Sequence, residues 1–217
     1  MYQNMSNWVL KIRKMRKGKM KIYLIERDNT KFEYLKLYFN TYAPEVKLIN
    51  DEFKNFISKN KIQCVVSPAN SFGLMDGSYD LELTKWYGNQ LQERVQEYII
   101  RNYYGEQPVG TSFIIEAGKD NQFLIHTPTM RTPEEIVDAR IIYQCMRTTL
   151  ICAKQNNIKS ILIPMFGGHV GNVKPQVVSK MMWNAYNQIN NPPSKINWDY
   201  VERVDMLPEE NFHIPHI

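Results

Sequence analysis

Two nearly continuous apolar runs, each ending in a glycine-bearing loop, constrain this chain more than any other feature. They are IQCVVSP at residues 62–68 and ILIPMF at residues 161–166. A strand that faces water on one side alternates apolar and polar residues. A run without alternation reads as a strand covered on both faces of a sheet. Further short apolar runs predict strands at residues 21–26, 46–50, 63–67, 111–116, 123–127 and 160–166. Helical patterns lie between them. Phe32, Leu35, Phe39 and Tyr42 mark one, and Leu81, Leu91, Val95, Tyr98 and Ile99 mark a long second one. Ile136, Tyr143, Met146, Leu150 and Ala153 mark a third, entered at Thr132–Pro133 with Glu134 and Glu135 in its first turn. Val177, Val178, Met181, Met182, Ala185 and Ile189 mark the last, with Pro175 at its start. Strands alternating with helices predict an α/β fold: a three-layer α/β/α sandwich with a central mixed, mostly parallel sheet.

The polar residues place the appendages. Lys11, Arg13, Lys14, Arg16, Lys17, Lys19 and Lys21 fall in one stretch with no acid before Glu26. Without them the 22 acidic residues outnumber the remaining basic ones, so the net charge of +5 belongs to the arm. Residues 1–20 are read as a basic N-terminal arm, 21–190 as the domain and 191–217 as a tail, with an edge strand expected at residues 195–201. The arm suits nucleic acid or an acidic surface. A solvated tail, or an added edge strand through Trp8, Val9, Leu10 and Ile12, are the alternatives.

Several classes are set aside. Cys64, Cys145 and Cys152 are odd in number and show no CxxC pairing, so they read as core residues in a reducing compartment, the cytoplasm or a nucleus. No apolar run approaches the ~20 residues that cross a bilayer, and the N-terminal residues make a poor secretory signal. No metal-ligand spacing is visible and no cofactor is expected. His126 sits in an apolar strand and reads as a core histidine, while His213 and His216 lie in the tail.

The chemistry concentrates where the two apolar runs end. The first runs through Pro68-Ala69-Asn70 into a loop with Gly73, Asp76 and Gly77, and a helix begins near Tyr79 or Asp80. The second runs into Gly167-Gly168-His169-Val170-Gly171, and a helix follows Pro175. Strand-loop-helix passages with glycines present free N–H groups to phosphates at the carboxyl ends of strands. Neither is a P-loop, since no Lys-Ser/Thr follows the glycines, nor a GxGxxG after the first strand.

VVSPANS resembles the VNAANS segment of macro domains, and IPMFGGHVG resembles their second, phosphate-wrapping loop. Asn50-Asp51-Glu52-Phe53 stands where that family has its Gly-Asp-Ile/Leu turn, and LIHTPTMR matches a strand ending in His-Thr. The resemblance covers roughly residues 21–190. It implies recognition of ADP-ribose, free or on an ADP-ribosylated macromolecule. Asp51 would accept from the adenine amino group, with Glu52 beside it, and Asn70 would hold the distal ribose. Met75, Asp76 and Gly77 would line the first phosphate loop; Gly167, Gly168, His169, Val170 and Gly171 would form the second. Phe166 and Met130 would supply apolar walls. Asp80 falls where hydrolytic members carry a catalytic carboxylate, so Asn70 and Asp80 are the candidate catalytic pair. Capping of a helix, or a pairing with Lys85, is the structural alternative for Asp80. Hydrolysis of an ADP-ribosyl bond, phosphatase action on ADP-ribose 1″-phosphate and a non-catalytic reader are the activities implied.

This sequence departs from the family pattern in three places. Ser78-Tyr79 interrupt the glycine run before Asp80, His169 replaces a small residue of the second loop, and Asn50 replaces a glycine.

Overall fold

The computed structural model describes residues 20–118 and 122–205. The predicted strands form β1 (Lys21–Ile25), β2 (Lys47–Ile49), β3 (Cys64–Ser67), β4 (Phe113–Glu116), β5 (Phe123–His126) and β6 (Ser160–Pro164). They make one sheet in the order β2-β1-β6-β3-β5-β4. Every neighbouring pair is parallel except β4 with β5. β3 is buried along its whole length and β6 after its first residue, which is why both read as unbroken apolar runs.

The pleat still sorts their side chains by period two. Ile22, Leu24, Cys64, Val66, Ile125, Ile161 and Ile163 enter one core. Ile25, Val65, Leu124 and Leu162 enter the other. Helices α1 (Asn29–Tyr42), α5 (Arg140–Gln155) and α6 (Pro175–Asn190) cover the first core with Leu35, Phe39, Met146, Leu150, Val178 and Met182. Helices α2 (Phe53–Lys59), α3 (Ser78–Tyr87) and α4 (Gln90–Tyr103) cover the second with Phe53, Leu83, Leu91 and Val95. Full burial of each such side chain is worth about 1.5–3 kcal/mol against leaving it exposed. The loops that follow β1, β2, β3, β5 and β6 all leave the strands' carboxyl ends and so gather on one rim.

Three expectations are corrected. The long helix through Leu81 and Ile99 is two helices: α3 ends at Gly88, whose φ of +96° breaks the ladder, and α4 begins at Gln90. The third helix starts at Arg140, not at Thr132–Pro133. Ile136 is drawn away from it, its N–H donating to the Gly171 carbonyl (2.9 Å). The tail carries no strand at residues 195–201; it forms helix α7 (Trp198–Asp205). Asn197 Oδ1 accepts from the Tyr200 N–H (3.0 Å), an N-cap geometry that fixes the helical start. Residues 1–19 of the basic arm and residues 206–217 with His213 and His216 lie outside the described residues. No described helix is long and apolar enough to cross a membrane.

Candidate functional site

A cleft of about 240 Å³ opens on the rim where the strands end. Its first wall is the β3–α3 connection. Asn70 organises that connection: Nδ2 donates to the Leu74 carbonyl (2.8 Å), and Oδ1 accepts from the N–H groups of Phe72 (3.1 Å) and Leu74 (3.3 Å). One amide hydrogen of Asn70 remains for a ligand. Gly73 takes φ +66°, and a Cβ there would come within 2.6 Å of Val95. Gly77 differs, since a Cβ on it would meet nothing within 4 Å. Its backbone borders open space at the N-terminus of α3.

Asp80 stands in the first turn of α3 and lines the cleft. Ser67, the last residue of β3, donates its hydroxyl to Asp80 Oδ1 (2.6 Å). Burial pushes the Asp80 carboxyl up to about 7, and the Ser67 hydrogen bond only partly opposes that rise. Asp80 is therefore not the cap of α3, whose cap residue is Gly77. Tyr79 packs edge-on against Phe53 at 5.5 Å and lines the cleft with it. Ser78, in place of a glycine, carries φ +49°.

The second wall is the β6–α6 connection. Gly167 has φ +66°, and a Cβ there would lie 2.4 Å from Ile142 and 2.8 Å from Ile136. At Gly171 a Cβ would meet Ile136 at 2.6 Å. Gly167 and Asn172 hold the positive φ angles of this loop, so His169 needs none. The ring of His169 is tied to the β1–α1 turn, with Nε2 3.1 Å from Glu26 Oε2 and Nδ1 3.2 Å from Lys31 Nζ. Glu26 is buried at the end of β1. Burial alone would push its carboxyl up; the bonds to His169 and to the Asp28 N–H outweigh this and hold it below the usual range.

The floor at the far end is the β2–α2 turn. Asp51 Oδ1 accepts from the Glu52 N–H (2.8 Å) and from Asn55 Nδ2 (3.2 Å), which leaves Oδ2 without a bond among the described residues. Asn50 does not use a left-handed backbone; its Nδ2 donates to the Glu26 carbonyl (2.9 Å) and ties the turn to β1. Among the described residues no group of three or more His, Cys, Asp or Glu is arranged to hold a metal ion.

The cleft thus gathers Asp51, Glu52, Asn70, Asp76, Gly77, Asp80, Met130, Gly167, His169, Val170 and Gly171. Met75 and Phe166 do not face it. Both are fully buried, Met75 among the core residues under α3 and α4 and Phe166 on the opposite face of the sheet. Gly168 also lies outside the lining, its Cβ position turned toward Met165. Sequence reasoning missed Glu26, Arg27, Glu82 and Met165 on the walls, while Phe53 and Tyr79, which stand in the segments it singled out, line them too. Glu26 and Arg27 directly follow the first strand, and the rule that ligands gather at carboxyl ends was the signal available for them. His126 is fully buried, with Nδ1 2.6 Å from Gln107 Oε1, and burial lowers it to about 3. It is a core residue, as read from the sequence.

Residues 66–182, more than half of the chain, match the Macro domain family. The chain belongs to the macro domain family. The matched span begins inside β3 and ends within α6, so it contains both loops of the cleft. Over 131 residues this macro domain is 30% identical to an uncharacterized protein of Aquifex aeolicus, covering 59% of this chain and 75% of that one. Among solved structures, the Oceanobacillus iheyensis macrodomain with ADP aligns at a TM-score of 0.52 and 21% identity, over 58% of this chain and 68% of its own. A mutant of that macrodomain with ADPR aligns at 0.53 and 21% identity, over 61% of this chain and 73% of its own. These structures share the fold, a six-stranded mixed, mostly parallel sheet between helices.

Proposed function

We propose that this macro domain binds ADP-ribose and hydrolyses an ADP-ribosyl bond. The observation that carries the reading is the Ser67–Asp80 pair: a carboxyl held near neutrality on the wall of the cleft. The relatives solved with ADP and with ADPR support the choice of ligand. In this reading Asp51 Oδ2, with Glu52 beside it, takes the adenine amino group, and Phe53 packs under the base. The free amide hydrogen of Asn70 takes a hydroxyl of the distal ribose. The backbone N–H groups from Asp76 to Gly77 and from Gly167 to Gly171 take the pyrophosphate.

Asp80 then acts as base. A carboxyl titrating near 7 accepts a proton at neutral pH without being fully ionised at rest. It removes a proton from water as the water oxygen bonds to the distal anomeric carbon. The bond from that carbon to the leaving group breaks, and its electron pair goes with the leaving group. Asn70 orients the ribose for this displacement.

The domain is assigned to residues 21–190, with the basic arm before it and the tail carrying α7 after it. Three free, buried cysteines suit a reducing cytoplasm or nucleus. A reader without turnover is the second reading, favoured by Ser78 and Tyr79 where hydrolytic relatives have glycines. Chromatographic detection of ADP-ribose released from an ADP-ribosylated protein separates the two. The hydrolase reading expects release by the parent and a loss of about 100-fold or more in Asp80→Asn, with ADP-ribose affinity retained. Binding without any release by the parent leaves the reader.

A further inference from the structure

The opposite pole of the sheet, where the parallel strands begin, carries a surface the cleft does not use. α3 starts at the cleft and ends at this pole, and the connection from α2 into β3 crosses it. An open depression there is lined by residues 57–63 together with Trp86, Gln122 and Ser160. No carboxylate is among its described lining residues, whereas Lys59 and Lys61 both are.

The floor of the depression is cross-tied. Gln63 Oε1 accepts from the Lys159 N–H (2.7 Å), the Gln63 N–H donates to Ser160 Oγ (2.9 Å), and Gln122 Nε2 donates to the Ile62 carbonyl (2.8 Å). The side-chain NH2 of Gln63 makes no bond among the described residues and can donate to a ligand.

Lysines follow the strand ends across the same pole. Lys61 leads into β3, Lys159 stands just before β6, and Lys21 opens β1. The Lys21 N–H donates to the Lys159 carbonyl (2.9 Å). β3, β6 and β1 are neighbours in the sheet, and neighbouring strands lie about 4.8 Å apart. The cations are therefore held close together. Lys21, Lys59, Lys61 and Lys159 are all exposed, and none joins an ion pair among the described residues. The chain enters β1 here, and Lys11, Arg13, Lys14, Arg16, Lys17 and Lys19 precede it in the sequence.

A row of cations beside a depression with an aromatic wall fits a polyanion that carries flat rings. Single-stranded nucleic acid supplies both, phosphates for the lysines and a base for the indole. A duplex keeps its bases stacked inside, and a lipid surface has none. We propose that this pole binds single-stranded nucleic acid, with the backbone along Lys59, Lys61, Lys159 and Lys21 and one base in the depression against Trp86. Gln63 donates to that base. The surface lies at the other end of the strands from the cleft, so both are occupied independently, and the inference does not depend on the ADP-ribose reading.

The test is fluorescence anisotropy of a labelled single strand of about 12 nucleotides, titrated with the full chain from about 50 to 200 mM salt. Replacing Lys59, Lys61 and Lys159 together by Gln removes three phosphate contacts. The slope of log affinity against log salt should become shallower by about two, a loss of roughly 100-fold near 0.1 M salt. The same three positions as Arg should keep the parent's slope. Trp86→Leu should weaken binding by about tenfold or more with the slope unchanged, and Trp86→Phe should restore most of that loss. A shallower slope is a readout that damage to the fold alone would not produce. Absence of binding by the parent at about 50 mM salt, or parent-like binding by the Gln variant or by Trp86→Leu, would overturn the inference. So would displacement of the strand by ADP-ribose, tighter binding of the same sequence as a duplex, or equal binding to phosphatidylserine vesicles.

Discussion

Replacing Asp80 by Asn should make the protein more stable, and increasingly so as pH rises. Burial raises the Asp80 carboxyl from an ordinary 3.8 to about 7. Its folded value then exceeds its unfolded value, so the folded state holds this proton more tightly. The stability tied to it is fully present below about pH 4 and is lost as pH climbs through 7. At about 1.4 kcal/mol per unit, a three-unit gap costs at most about 4 kcal/mol by pH 8, and roughly 2–3 kcal/mol of that develops between pH 5 and pH 8. Asn has the same shape, still accepts from the Ser67 hydroxyl and cannot ionise. Urea unfolding of parent and variant at pH 5, 6, 7 and 8 isolates the effect, because every other titrating group is common to both. The gap in favour of Asp80→Asn should widen steadily across the series. A gap that stays constant, or narrows toward pH 8, would show that Asp80 is ionised at little cost and would remove the physical basis for its role as base.

Ser67→Ala removes the one hydrogen bond that holds Asp80 down, so the midpoint of the pH–turnover profile should move to higher pH, measured by release of ADP-ribose across pH 5–9. Gly167→Ala combines a φ of +66° with a Cβ 2.4 Å from Ile142 and should lower stability by about 2 kcal/mol in thermal unfolding, whereas Gly168→Ala, with only a 3.5 Å contact to Met165, should cost under about 1 kcal/mol. Asn70→Ala deletes three bonds to its own loop and should speed hydrogen exchange at the Leu74 amide while weakening ADP-ribose binding by about tenfold, one ligand hydrogen bond's worth.

What the chain's amino acids reveal unaided depends on how local the cause is. All six strands are legible because burial on both faces removes alternation from β3 and β6, and the rim loops follow from where those strands end. The edge strand expected at residues 195–201 fails for a local reason that was itself readable. Ile196, Trp198 and Tyr200 alternate as a strand would, but Asn197 caps a helix through the Tyr200 N–H. Ile136 keeps the helical spacing of α5, yet it packs against Gly167 and Gly171, which only the fold brings near. The long second helix fails at one residue, Gly88, whose positive φ no periodicity signals.

The cleft divides in the same way. Asn70 stands out because it follows a strand end in the chain, whereas Asp51 and Asp80 stand out through the resemblance of their motifs to the family's. Glu26 is marked only by its place at a strand's carboxyl end, which reveals neither its burial nor its partner. Its burial and its partner depend on His169, far away in the sequence. The partial burial of Asp80 is likewise tertiary, and the upward push on its carboxyl needed the structure. Met75 and Phe166 err in the opposite sense: they adjoin the loops in sequence, but their side chains turn into the core.

The central claim is that the cleft between the two loops takes ADP-ribose. Isothermal titration of the full chain with ADP-ribose, beside AMP and ATP, tests it most directly. The account predicts saturable one-to-one binding of ADP-ribose well below millimolar ligand, tighter than either control because only ADP-ribose carries a distal ribose for Asn70 and Asp80. Absence of binding at millimolar ADP-ribose, or equal binding of AMP, would contradict it.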